Sequence, residues 1–195
     1  MLPALVSLAS YQSKWTQSTA NTLTQILNYV ENHLDTILRF TVSEMVLHIH
    51  INASYLSEAK KRSQVGIHFL LSRNTTIPGK ALELHAPLPP QNGTVHTIYY
   101  ILNNVMYPSD KAKVGTLSYN SKDATSLRAA LVDMGHLKPT TPITSENTTA
   151  TGITNKTVKQ RCSKAIDMKL YWLQEWVTQG QFVILRQSGS TSLSH

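Results

Sequence analysis

The chain has 195 residues, 41% of them hydrophobic and only 15% charged, with 18 Lys+Arg against 11 Asp+Glu and a formal net charge of +7. That hydrophobic fraction excludes a disordered chain or a polybasic tail, and the length suits one domain of about 150 residues with an appendage. A single cysteine, Cys162, excludes an intrachain disulfide framework and a multi-cysteine zinc site, and no apolar run reaches the roughly 20 residues that a membrane span needs, so no membrane partner is expected.

The first ten residues are apolar but short and lack the basic flank of a secretory signal. Asn-x-Ser/Thr triplets stand at Asn52, Asn74, Asn92, Asn147 and Asn155; in a chain rich in Asn and Thr they read as chance, and the protein reads as intracellular, cytoplasmic or nuclear, and not secreted. Residues 17–38 repeat Leu23, Ile26, Leu27, Val30, Leu34 and Ile37 at helical spacing, with Thr16 or Ser18 as the cap. Met45 to Ile51 alternates as a strand, with Val46, His48 and His50 on one face and Met45, Leu47, Ile49 and Ile51 on the other. Val65 to Ser72 is a second strand, joined through Lys60-Lys-Arg62 as a hairpin.

Residues 73–94 hold four prolines and read as a loop, and Thr94 to Leu102 is a third strand. Ser109 or Asp110 caps a short helix over about 110–119; Asp123 caps another, with Leu127, Leu131 and Met134 as its stripe and Gly135 as its end. A short strand near Pro142 to Ser145 leads to a polar helix near 147–154. The last helix spans 164–178, with Ile166, Leu170, Leu173 and Val177 on its core stripe and Met168, Trp172 and Trp176 on a neighbouring one. Gly180 ends that helix, and Gln181 to Arg186 is a final strand. Three sequential strands and then helix–strand alternation imply an α/β fold with a mixed five-stranded sheet, flanked by helices and preceded by an N-terminal helical segment.

The charge excess is concentrated. Residues 151–195 carry 6 basic and 2 acidic groups, and Lys156, Lys159, Arg161, Lys164 and Lys169 make the densest cluster. Such spacing over a loop and a helix suits a phosphate backbone, although a solvated face is the plainer reading of composition alone.

Several blocks in order resemble the ribonuclease H domain of copia-type retrotransposon polyproteins. They are Met45-Val-Leu-His-Ile-His-Ile-Asn-Ala-Ser-Tyr-Leu-Ser-Glu58, Asn104-Val-Met106, Val114-Gly-Thr-Leu117, Thr141 to Ala150, Gly152 to Arg161, Ser163 to Met168, Tyr171-Trp172 and Gln179 to Phe182. Residues 4–40 resemble the segment that links the reverse transcriptase to that domain, so the expected division is 1–43 as a helical linker and 44–195 as a ribonuclease H-like domain. The resemblance implies a ribonuclease H-like sheet and, ancestrally, cleavage of the RNA strand of an RNA–DNA hybrid during reverse transcription. It also implies two Mg²⁺ ions as cofactors, held by four carboxylates.

This chain departs from the family pattern at all four positions. The first-strand aspartate position is Asn52, the first-helix position is Lys113 (with Lys111 at the preceding acidic position), the fourth-strand position is Glu146 and the last falls at His195. Only Glu146 remains acidic, so the formal charge offered to two dications falls from about −4 to about zero. No cofactor is therefore expected to bind, Glu146 is the one retained candidate metal ligand, and the chain reads as a degenerate, C-terminally truncated and inactive relative.

His48 and His50 have a metal-ligand spacing, but the family block commonly carries this pair without a zinc role. Asp110 reads as a helix cap, Glu58 as a surface charge, Asp167 as part of a polar helix face and Cys162 as a replaced arginine. The expected partner is an RNA–DNA hybrid or other nucleic acid; a reverse transcriptase region engaged through the helix at 17–38 is the alternative.

Overall fold

The computed structural model describes residues 2–58, 62–73, 92–102, 109–136, 139–145, 152 and 164–186. In chain order these form α1 (Leu2–Ala9), α2 (Gln17–Asn32), β1 (Val46–Glu58), β2 (Arg62–Ser72), β3 (Thr94–Ile101), α3 (Ser109–Asp133), β4 (Thr141–Ser145), α4 (Lys164–Thr178) and β5 (Phe182–Arg186). The strands make one sheet in the order β3-β2-β1-β4-β5; β1 pairs antiparallel with β2 and β2 with β3, whereas β4 runs parallel to both β1 and β5. This is the ribonuclease H-like topology.

Register sorts the side chains into two faces. His96, Phe69, Ile49, Ile143 and Ile184 form one row across all five strands, and Ile98, Ile67 and Ile51 form the next. Apart from the exposed His96, these rows make the core with Leu47, Val65, Phe182, Ala124 and Leu131 of α3 and Leu173 of α4. Val46, His48 and His50 lie on the opposite face of β1, as the alternation predicts, and they too are buried.

The helix ends follow local chemistry. Thr16 caps α2 in a reciprocal box with Thr19: the Thr19 N–H donates to Thr16 Oγ1 at 3.3 Å, and the Thr16 N–H to Thr19 Oγ1 at 2.8 Å. Gly135 and Gly180 adopt φ of 87° and 71°, and the amides of His136 and Gln181 reach back to the carbonyls of Leu131 and Trp176. Both helices thus end in the left-handed turn that favours glycine, as the sequence predicts.

The helical expectations need correction in detail. The two helices expected over 110–119 and from Asp123 are one continuous α3. Its face Ser121, Ala124, Arg128 and Leu131 keeps helical spacing through Asp123, and Gly115 raises the local cost by only about 1 kcal/mol without a proline to break the helix. The helix expected to reach residue 38 stops at Asn32. Leu34 and Ile37 are 75% and 71% exposed, so the extended stripe finds nothing to bury against, and the His33 and Asn32 side chains donate to the carbonyls of Tyr29 and Asn28 instead. The apolar opening, to which the sequence pattern assigns no element, is the helix α1. Met134 and Met168, expected on apolar stripes, are 64% and 75% exposed, and the α4 aromatics do the packing: Trp172 meets Trp176 at 5.0 Å and Trp176 stacks on Phe182 at 5.6 Å. The polar helix expected near 147–154 lies outside the described residues except for Gly152.

Arg128 ties α3 to the sheet. Its Nη1 donates to Pro139 O at 2.7 Å and to Thr141 Oγ1, and the guanidinium sits 5.5 Å from the Phe182 ring centroid. Residues 39–41 are held at the start of β3. Asn92 Oδ1 accepts from the Thr41 and Gly93 amides, Asn92 Nδ2 donates to Thr41 O at 2.7 Å, and a side chain at Gly93 would collide with the Phe40 ring. The Asn92 triplet therefore serves as a clamp.

Candidate functional site

The second face of the sheet carries a polar cluster. Thr97, His68, His50 and Thr144 form one row across β3, β2, β1 and β4; Tyr99, Gly66 and Asn52 form the next. Gly66 is required here because the Tyr99 ring lies over it: an added Cβ would come within 2.8 Å of Tyr99 Cζ. The Tyr99 hydroxyl is 2.8 Å from His68 Nε2, and Thr97 Oγ1 is 3.4 Å from His68 Nδ1, so both ring nitrogens of His68 are engaged. His48 Nε2 donates to Arg73 O at 3.1 Å. Asn52, expected from the resemblance at the first-strand carboxylate position, thus shares one end of this face with His50, His68 and Tyr99. Sequence reasoning isolates the His48/His50 pair but misses His68 and Tyr99. The available signal is Gly66 inside a strand, the mark of a close approach, with His68 two residues on and on the same face.

Burial sets the charge state of this cluster. It lowers the pKa of His48 and His68, and it pushes His50 down to about 4, with the neighbouring His68 and His48 adding to the shift; burial raises the pKa of Tyr99. All three imidazoles are neutral at pH 7. As pH falls below 6.5 the unfolded chain takes up protons that the folded chain refuses. The stability these histidines hold is complete above pH 6.5 and declines as pH falls from there toward 4. Melting temperature should therefore drop between pH 6.5 and 5, and His50→Gln should flatten that slope; a profile flat over this range would contradict the arrangement.

The other sequence-predicted positions fall partly within and partly outside the described residues. Lys113 lies on α3, whose residues contact β1. Ile51 and Ser145 form the last described pair of β1 and β4. Glu146, His195, Lys156, Lys159, Arg161 and Cys162 lie outside the described residues. Lys164, Asp167 and Lys169 are on α4, Lys164 at its first position. Asp110 is the second residue of α3, and Glu58 closes β1.

Mg²⁺ prefers hard, charged oxygen donors. The described donors on the Asn52 face are a neutral amide, neutral imidazoles and a protonated phenol, and among the described residues no group of three or more His, Cys, Asp or Glu side chains could hold a metal ion. By themselves these described residues do not make a two-Mg²⁺ centre. Among the described residues no helix is long and apolar enough to cross a membrane.

No family profile and no curated protein matches the chain. Solved structures do. A ribonuclease H1 isolated from compost by a metagenomic approach, LC11-RNase H1, superposes with a TM-score of 0.50 at 10% identity, over 75% of this chain and 86% of its own. The foamy viral protease–reverse transcriptase in complex with dsDNA superposes with a TM-score of 0.54 at 12% identity, over 92% of this chain and 31% of its own. Identities this low establish the fold alone.

Proposed function

We propose that this chain is a nucleic-acid-binding, non-cleaving descendant of a retroelement ribonuclease H domain of the copia type. The observation that carries the reading is the coincidence of a ribonuclease H-like sheet with a neutral amide, Asn52, on the first strand, flanked by neutral imidazoles. The fold would present a duplex-facing surface, and the basic stretch Lys156, Lys159, Arg161, Lys164 and Lys169 would supply cations for its phosphates without any metal. Substitution of the family's carboxylates at Asn52, Lys113 and His195 removes the charge that two dications need, and the longer Glu146 cannot replace it alone.

Filter binding of a labelled RNA–DNA hybrid from 50 to 200 mM salt tests this. Binding should weaken steeply with salt, and Lys159→Ala with Arg161→Ala should reduce the log–log slope by about two, one for each phosphate no longer engaged. Absence of binding at 50 mM salt, or a slope indifferent to the pair, would sink the reading.

A second reading, a structural partner of a reverse transcriptase, draws on one observation. The match to the foamy viral chain covers 92% of this one, whereas residues 44–195 make up only about four-fifths of it, so the superposition extends into the N-terminal helical segment. Leu27, Tyr29 and Val30 of α2 are exposed there. Co-purification with a polymerase domain through α2 would favour this alternative.

A further inference from the structure

We propose that α1 is an autoinhibitory cover on the Asn52 end of the histidine face, an inference that rests on the nucleic-acid reading. By strand alternation Gln64, Gly66 and His68 share one face, and Gln64 stands opposite Ser54, one same-face step beyond the Asn52–Gly66 pair. Gln64 Nε2 donates to Pro3 O at 2.8 Å, and α1 packs against β3, the strand that supplies Tyr99. The start of α1 is therefore anchored on the same face and at the same end of the sheet as Asn52. On this proposal a strand of nucleic acid following β3 past Tyr99 toward Asn52 runs into α1. The helix, Leu2–Ala9, contains no charged residue, so it offers a phosphate backbone nothing in exchange.

The hold on α1 is light and the tether behind it is firm. Leu8 is the one buried residue of the helix, and Leu2 and Leu5 are exposed. At the other end of β3, Asn92 holds Thr41 through both its amide and its carbonyl. The arm can lift from the face while its root stays clamped, which keeps α1 at high local concentration and makes the closed state the default. With the face open in about one molecule in ten, apparent affinity is about tenfold below that of an open form.

The test uses the full chain with two separate substitutions, Leu8→Asp to eject the helix and Gln64→Ala to remove its hydrogen bond. Both are compared with the unaltered protein for labelled RNA–DNA hybrid binding at 50 mM salt, with folding checked by circular dichroism. The expected result is affinity up to about tenfold tighter for Leu8→Asp and a smaller gain for Gln64→Ala, with an unchanged salt slope because the same cations are engaged. If Leu8→Asp unfolds the domain, Gln64→Ala decides by the same criterion. Binding by the unaltered protein with no gain in the folded variants removes the cover and leaves the nucleic-acid reading standing; no binding by any of the three removes both.

Discussion

Incubated with a labelled RNA–DNA hybrid and Mg²⁺ or Mn²⁺, the purified protein is expected to leave the RNA strand intact, with no difference from a chelator control. Two-metal hydrolysis depends on carboxylates that hold two dications about 4 Å apart, one to activate water and one to stabilise the leaving oxygen. On the proposed reading these positions carry Asn52, Lys113, Glu146 and His195, and their charges cancel to about zero. A protonated lysine has no lone pair to give and repels the metal. Because the metals perform the chemistry, their loss removes the reaction by many orders of magnitude instead of slowing it. Isothermal calorimetry should likewise show no Mg²⁺ heat for the protein as it stands, whereas Asn52→Asp with Lys113→Glu and Glu146→Asp should restore a binding isotherm by returning about three negative charges. Chelator-sensitive cleavage by the unaltered chain, abolished by Glu146→Gln, would overturn the assignment.

The sheet was legible in the sequence because its signals are short-range. The alternation of Leu47, Ile49 and Ile51 against Val46, His48 and His50 marks β1, and the burial of both sets shows a strand covered on two sides. The ends of α3 and α4 were equally legible, since Gly135 and Gly180 are the residues that a left-handed turn selects. What failed was periodicity without knowledge of a partner. The stripe through Leu34 and Ile37 continues α2 on paper, but no packing surface waits for it. Asp123 has the chemistry of a cap, yet Ser121 and Ala124 bury their side of α3 and hold the helix through it. Cross-strand geometry was hidden for the same reason. His68 lies eighteen residues from His50, and only the antiparallel register brings the two opposite each other.

That register also identifies where the fold is most vulnerable. Phe69 lies in the row His96–Phe69–Ile49–Ile143–Ile184, to which every strand of the sheet contributes one residue. The four residues from Phe69 to Ile184 are fully buried, and the Phe69 ring stacks on His96 at 5.4 Å. Phe69→Ala removes a fully buried ring from β2, next to the central strand β1, and the β-sheet backbone on either side cannot collapse into the space. The loss is the transfer energy of the ring plus the unfilled cavity, about 3–5 kcal/mol. A domain of this size holds roughly 5–15 kcal/mol in all, so the variant should sit close to its unfolding threshold. Urea denaturation followed by circular dichroism should show a lower midpoint with an unchanged slope, because the surface exposed on unfolding is nearly the same. Val95→Ala, on the same strand as His96 but 45% exposed, should change stability by no more than about 0.5 kcal/mol. Equal effects from the two substitutions would mean that the row does not carry the core. A loss confined to Phe69→Ala would show that this sheet is held by its buried row, whatever has happened to the chemistry at its end.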